Sequence, residues 1–196
     1  MYAWHVTFAD QPAVQRLAGR YQAALAGLPG LDFVPLRWLH LTTQGVGFTD
    51  EVSDSDIGAI AAAARDRLAT AGPVGVTIGP ARVTPEAVLL EVTPVAELGA
   101  VRSGLRAAIG DVWPPGQIPE TDEWMPHVSV AYSSTTASAQ PYTAALAGRS
   151  FSAECLIEAV QLIVLGRDRR SYEWAVHDTV RLSLHSARQD SRQPYL

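Results

Sequence analysis

The chain has 196 residues, 47% of them hydrophobic, which is enough to bury the core of one domain of ordinary size. Its formal net charge of −5 argues against a surface for long duplex nucleic acid, because such surfaces neutralise many phosphates with basic side chains. The single cysteine, Cys155, excludes an internal disulfide, and the complete absence of lysine excludes Schiff-base chemistry and a phosphate-loop lysine.

The first half of the chain predicts two strands, each followed by a helix. Runs of aromatic and β-branched residues indicate the strands, and apolar residues recurring at helical spacing indicate the helices. In chain order these elements are a strand at 2–8, a helix at 12–25 with Asp10 as its cap and Gly27 after its end, a strand at 34–46, and a helix at 54–69 capped by Ser53 or Asp54.

The second half repeats this order. It predicts strands at 74–78 and 87–92, a helix opened by Pro94 and closed by Gly110, a strand at 125–130, a short helix at 141–147, and strands at 156–165 and 172–184. Each half contains a strand, a helix with proline near its start, a Pro/Gly loop, and a strand bearing histidine, an apolar residue and a hydroxyl. This repetition predicts two related α+β lobes in one domain, 1–185, with a cleft between their sheets and a frayed tail at 186–196.

The chain has no apolar run long enough to cross a bilayer. Its N-terminus also lacks the basic region followed by an apolar one that marks a secretion signal. We therefore expect a cytoplasmic protein with no membrane partner.

Histidines followed two places later by Ser or Thr are common in this sequence, so the spacing alone does not select a site. Four of the five histidines satisfy it: His5 with Thr7, His40 with Thr42, His127 with Ser129, and His177 with Thr179.

The positions of these histidines in the two halves distinguish among them. Residues two apart on a strand share a face, so the imidazole and hydroxyl project together if the middle residue is apolar. Asp178 fails this test, which indicates an exposed hairpin strand around His177. His5 passes it but has no histidine counterpart in the second half. Only His40 and His127 occupy equivalent places.

A symmetric pair of imidazoles, each beside a hydroxyl, suits a substrate phosphate. The hydroxyls bind non-bridging oxygens while one imidazole accepts a proton and the other donates one. Taken singly, each of these histidines would be interpreted as a structural residue, and it is the pairing that favours a site.

Further candidates surround this predicted cleft. Gln44 shares the face of His40 and Thr42 if alternation is strict, and His5 either lines the site or belongs to a structural strand. Tyr172 and Trp174 either stack on a nucleobase or fill the core. The cluster of Arg167, Arg169 and Arg170 either attracts an RNA end or forms a solvated hairpin tip.

Two motifs, Trp38-Leu39-His40-Leu41-Thr42 and Pro126-His127-Val128-Ser129-Val130, resemble those of the two-histidine (2H) phosphoesterase superfamily, specifically its bacterial branch named for 2′-5′ RNA ligase. The order of elements agrees over about residues 2 to 182. The resemblance implies a bilobal α+β fold with two pseudo-symmetric lobes of antiparallel sheet, outer helices and a central cleft. It implies that His40 and His127 are the acid–base pair and that Thr42 and Ser129 clamp the phosphate.

The sequence departs from that branch at two positions. An aromatic residue often stands five places after the first motif histidine, and an arginine five places after the second, whereas this chain has Gly45 and Tyr132. The missing arginine weakens the case for a second phosphate contact and for ligation of tRNA. Tyr132 could instead stack on a base or ribose.

The resemblance favours hydrolysis of 2′,3′-cyclic phosphates or 2′-5′ phosphodiester bonds without a metal or other cofactor, with a small nucleotide or an RNA terminus as the partner. Asp122 and Glu123, which precede His127, could ligate a metal ion, and a metal bound there would contradict metal independence. The alternatives are 2′-5′ ligation by the same groups and a nucleotide- or RNA-binding module without turnover.

Overall fold

The computed structural model of the chain describes residues 1–114, 117–118, 124–136, 138–166 and 172–182. The predicted tail at 186–196, the arginine cluster at 167–170, and Asp122 with Glu123 lie outside the described residues. In chain order the elements are β1 (Tyr2–Thr7), α1 (Pro12–Leu25), β2 (Leu31–Phe33), β3 (His40–Gly47), α2 (Asp54–Leu68), β4 (Val74–Val83), β5 (Ala87–Thr93), α3 (Val95–Gly110), β6 (His127–Ser133), α4 (Gln140–Leu146), β7 (Ala153–Ile157), β8 (Ala159–Gly166) and β9 (Glu173–Arg181).

Two antiparallel sheets organise the described residues. The first has the strand order β3-β1-β8-β9, and the second has the order β2-β6-β5-β4-β7. Helices α2 and α3 pack against the first sheet, whereas α1 and α4 pack against the second. The predicted α+β class is therefore confirmed. Each lobe contains strands from both halves of the chain, because β8 and β9 join the first sheet and β2 joins the second.

The predicted strand at 34–46 is wrong in its first part. Leu36–Trp38 forms a 3-10 turn, in which the Trp38 N–H donates to Pro35 O at 2.8 Å, and the strand begins only at His40. The expected cap Asp10 is also wrong, since Gln11 holds the cap position and its side chain makes no capping hydrogen bond. Ser53 does cap α2, accepting from the Asp56 N–H at 3.1 Å.

The predicted strand at 156–165 is two strands. β7 pairs with β4 of the second sheet, and β8 pairs with β1 of the first, so the chain passes from one lobe to the other at Glu158. One apolar run serves both sheets, and hydrophobicity alone does not mark the crossing.

Strand β1 lies inside the first sheet, between β3 and β8, and its faces differ in chemistry. Trp4 and Val6 belong to the hydrophobic core, where Trp4 is 0% exposed. Ala3 and His5 alternate with them and line a cavity on the opposite face. Among the described helices, none has the length and apolar character needed to cross a membrane.

Candidate active site

The first motif strand, β3, contains a β-bulge immediately after Thr42. His40 lies opposite Thr7 of β1, Thr42 lies opposite His5, and the pairing then skips Thr43. The extra residue reverses the alternation, so Gly45, five places after His40, returns to the face of the imidazole.

The second motif strand, β6, has the same irregularity. Ser129 lies opposite Leu89 of β5, the pairing skips Val130, and Tyr132 lies opposite Ala87. The residue five places after His127 therefore also faces the cleft. The two bulges therefore bring the positions five residues beyond each histidine to the cavity, although neither bulge is visible in the sequence.

The two motifs line one cavity of 290 Å³ between the sheets. Its wall contains His40, Thr42, His127 and Ser129, as expected for two motifs that face each other. Tyr132 and Tyr172 also line it, with ring centroids 5.4 Å apart in an edge-to-face contact. Its apolar part is formed by four further residues, Met1, Ala3, Gly45 and Leu165.

Both motif imidazoles are held by the same kind of hydrogen bond. The Nδ1 of His40 lies 2.8 Å from Trp38 O, and the Nδ1 of His127 lies 2.9 Å from Met125 O. A carbonyl oxygen only accepts, so each Nδ1 carries the hydrogen and donates it. In each neutral ring Nε2 is then the nitrogen that remains available for proton transfer.

His40 lies in an aromatic environment and is only 8% exposed. Its ring stacks on His5 at 4.5 Å, with 2° between the planes, and meets the edge of Trp174 at 5.0 Å. Burial lowers the pKa of His40, the hydrogen bond to Trp38 O opposes this, and charge on His127 lowers it further. The neutral imidazole is therefore favoured at His40. His127, by contrast, is exposed.

His5 is 1% exposed, and its Nε2 lies 3.2 Å from Thr42 Oγ1. Burial, and to a smaller extent charge on His40, lowers the pKa of His5 to about 2. His5 is thus neutral throughout the range in which the protein would work.

The burial of His5 predicts a loss of stability in acid. Its folded pKa of about 2 lies below the unfolded value of 6.5, so the stabilisation is present above pH 6.5 and is lost as the pH falls below it. Between pH 8 and pH 5 this one group should remove about 2 kcal/mol from the free energy of unfolding. Urea unfolding at the two pH values should show a loss about 2 kcal/mol smaller in His5→Phe than in the parent. An equal loss in both proteins would contradict this assignment.

The other predicted residues fall in different places. The carboxamide oxygen of Gln44 accepts from Arg106 Nη1 at 3.1 Å. Gln44 does not line the cavity that holds both imidazoles, but a neighbouring one that it shares with Thr42 and His127. The bulge at Thr43 is the reason, so the expectation of strict alternation is wrong. Trp174 packs behind His40 against Trp38, at 4.7 Å. His177 is exposed on β9 and contacts Tyr2, in agreement with a hairpin strand.

Two residues missed by sequence reasoning brace the first motif strand. The Trp124 indole N–H donates to Thr42 O at 3.3 Å, and Arg102 Nε donates to Thr43 O at 3.1 Å. The Arg102 guanidinium also lies 5.4 Å from the centre of the Trp124 ring. These contacts connect the segment before His127 to the bulge of β3, and no periodicity in the sequence indicates them.

Among the described residues, no cluster of three or more His, Cys, Asp and Glu side chains has the arrangement needed to hold a metal ion.

Comparison with known proteins identifies the family. The family model of the 2′-5′ RNA ligase superfamily matches residues 7–169. The chain belongs to this superfamily. The resemblance to 2H phosphoesterases drawn from the two motifs is thereby confirmed. No curated protein matches the sequence.

Solved structures share the fold of this superfamily member at low sequence identity. TT0787 of Thermus thermophilus is 18% identical, with a TM-score of 0.73 over 92% of this chain and 97% of that one. A phosphoesterase is 14% identical, with a TM-score of 0.72 over 93% and 97%. Escherichia coli LigT complexed with 3′-AMP is 14% identical, with a TM-score of 0.70 over 92% and 97%. The bilobal 2H phosphoesterase fold is thus confirmed.

Proposed function

We propose that this protein is a metal-independent phosphodiesterase that hydrolyses 2′,3′-cyclic phosphates, on a nucleotide or an RNA end, or 2′-5′ phosphodiester bonds. One observation carries the proposal. Two imidazoles line a single cavity, each with Nδ1–H bound to a backbone carbonyl and Nε2 left available, and each beside a hydroxyl. A proton acceptor, a proton donor and two phosphate-binding hydroxyls are the groups that this hydrolysis needs.

The burial of the two histidines supports a division of roles. His40 is buried and favours its neutral form, so its Nε2 accepts the proton of the attacking water. His127, the exposed imidazole of the pair, acts as the acid, and its Nε2–H is donated to the leaving ribose oxygen. The water oxygen bonds to phosphorus as the phosphorus–ribose oxygen bond breaks. Exchange with solvent then restores both imidazoles.

A nucleotide substrate is supported by the cavity lining and by its surroundings. Tyr132 and Tyr172 offer ring surfaces for a base or ribose, and the four apolar lining residues lie at the same cavity. Cavities of 650 and 450 Å³ adjoin it, both lined in part by His127, which leaves room for an RNA end beyond the phosphate. LigT has been crystallised with 3′-AMP, ATP and NADP+, and we propose small nucleotides as ligands here too.

A panel assay tests the proposal directly. Purified protein treated exhaustively with EDTA should hydrolyse at least one of a set of 2′,3′-cyclic nucleotides, RNAs ending in a cyclic phosphate, and 2′-5′ dinucleotides. Loss of turnover with EDTA and recovery with a divalent ion would overturn metal independence. Formation of a 2′-5′ bond without hydrolysis, by attack of a ribose hydroxyl on the phosphate, would identify a ligase. Binding of a nucleotide without turnover would identify a binding module.

The pH dependence of the reaction should separate the two histidines. Turnover needs neutral His40 and protonated His127, so the profile should be a bell. Because the pKa of His40 is lowered in the free protein, the rising limb of kcat/KM should lie below pH 6.5. Bound phosphate favours the protonated imidazole, so the same limb of kcat should lie at higher pH. Each single histidine variant should lose one limb, and a complete bell in both variants would contradict these roles.

A further inference from the structure

The two phosphate-binding hydroxyls have different partners across the sheet. Thr42 of β3 lies opposite His5 of β1, whereas Ser129 of β6 lies opposite Leu89 of β5. The two pairs occupy corresponding positions of the two sheets, next to corresponding bulges. Of these two cross-strand partners, only His5 can form a hydrogen bond with the hydroxyl opposite it, since the leucine side chain has no polar atom.

The hydrogen bond between His5 and Thr42 can run in either direction, and the surroundings of His5 decide which. Its Nδ1 is buried and finds no hydrogen-bond partner among the described residues. An unpaired buried N–H is rarer in proteins than an unpaired acceptor. The neutral ring therefore leaves Nδ1 bare and carries its hydrogen on Nε2, which donates to Thr42 Oγ1 at 3.2 Å.

The direction of this bond determines what Thr42 can offer a ligand. A threonine hydroxyl has one proton to donate. If Oγ1 donated to His5, that proton would be used within the protein. Because Oγ1 accepts, the proton remains available for a phosphate oxygen, and accepting a hydrogen bond polarises the hydroxyl further.

We infer that His5 is a positioning residue, whose Nε2–H bond to Thr42 Oγ1 directs the hydroxyl proton of Thr42 into the cavity as a fixed donor to the substrate phosphate. The inference rests on the proposed function and assigns its two hydroxyls unequal roles. Thr42 is held as a donor before substrate binds, whereas Ser129, opposite Leu89, is oriented by the substrate itself. The parallel stacking of His5 on His40 keeps the His5 ring in the plane that this bond requires.

NMR spectroscopy tests the tautomer without relying on activity. Long-range ¹H–¹⁵N spectra of the unmodified, ¹⁵N-labelled protein at pH 7 should show His5 protonated on Nε2 only. The neutral forms of His40 and His127 should show the opposite tautomer, protonated on Nδ1. A proton on Nδ1 of His5 would overturn the inference, whether or not any substrate is hydrolysed. A parent protein without turnover would instead contradict the proposed function.

A pair of variants separates the hydrogen bond from the ring. His5→Phe keeps an aromatic ring on His40 and removes the donor, and it should lower kcat about tenfold with little change in KM. His5→Gln restores an N–H donor without the ring and should recover most of that loss. Equal kcat in the parent and His5→Phe, or an equal loss in both variants, would overturn the inference. Thermal unfolding of each variant identifies losses that come from misfolding.

Double-mutant cycles supply the final test. In a Thr42→Ala background, His5→Phe should change kcat by less than about twofold, because the hydroxyl through which it acts is already gone. In a Ser129→Ala background the effect of about tenfold should persist. The same tenfold loss in both backgrounds would show that His5 acts on the fold in general and would overturn its positioning role.

Discussion

Replacing His40 or His127 with alanine is expected to lower turnover by about 10²- to 10⁴-fold in each case, the usual loss for a general acid or base. The two imidazoles line one cavity and are proposed to serve one proton-transfer cycle. The double variant should therefore lose much less than the product of the two single losses. Single-turnover rates on a 2′,3′-cyclic nucleotide would measure all three variants. Simple multiplication of the two losses would indicate independent action and contradict the shared cycle.

The chain provides a matched control for this experiment. His177 has the same spacing to a threonine, but it is exposed on β9 and contacts Tyr2. His177→Ala should leave turnover within about twofold of the parent, as expected for a surface side chain outside the site. A large loss in this variant would show that the effect of removing a histidine does not depend on its position in the cavity.

Removing either hydroxyl from the site should produce the next largest effect. Thr42→Ala and Ser129→Ala should each cost about 2 to 4 kcal/mol in transition-state stabilisation, as does the loss of one oxyanion donor. The loss should fall mainly on kcat, because these hydroxyls are proposed to bind non-bridging oxygens whose charge changes during the reaction. Steady-state kcat and KM on the same substrate would measure it.

Conservative and neighbouring substitutions make this prediction specific. Thr42→Ser and Ser129→Thr keep a hydroxyl and should retain most of the activity. Thr43→Val removes a hydroxyl from the adjacent residue, where Oγ1 donates to the buried Trp4 O at 2.7 Å. This variant should lose stability rather than turnover, since the loss of one buried hydrogen bond costs about 0.5 to 1.5 kcal/mol. If Thr43→Val impaired turnover as much as Thr42→Ala, the phosphate-binding role of Thr42 would be wrong.

Binding of inorganic phosphate should change the NMR signals of the same two hydroxyl residues. Because the phosphate is proposed to lie between Thr42 and Ser129, backbone and side-chain NMR signals of both residues should shift on titration with phosphate. The signals of Thr43 should move less, as its hydroxyl faces the core.

The sequence by itself determined the α+β class and the two histidine motifs. Strand and helix periods are local properties, and so is the alternation that places His40 with Thr42 and His127 with Ser129 on one face. The equivalence of the two motifs in the two halves was enough to indicate a shared cleft. The family could be inferred for the same reason, since its motifs are short and contiguous.

Tertiary pairing decided which residues join those motifs at the cavity. Bulges at Thr43 and Val130 bring Gly45 and Tyr132 to the cavity face, and the first turns Gln44 away from it. Such bulges depend on how two distant strands match in length, which local propensity does not encode. The crossing at Glu158 has the same origin, because one apolar run pairs with two different sheets. The bond between His5 and Thr42 joins residues 37 positions apart and exists only because β1 and β3 are neighbours in the folded sheet.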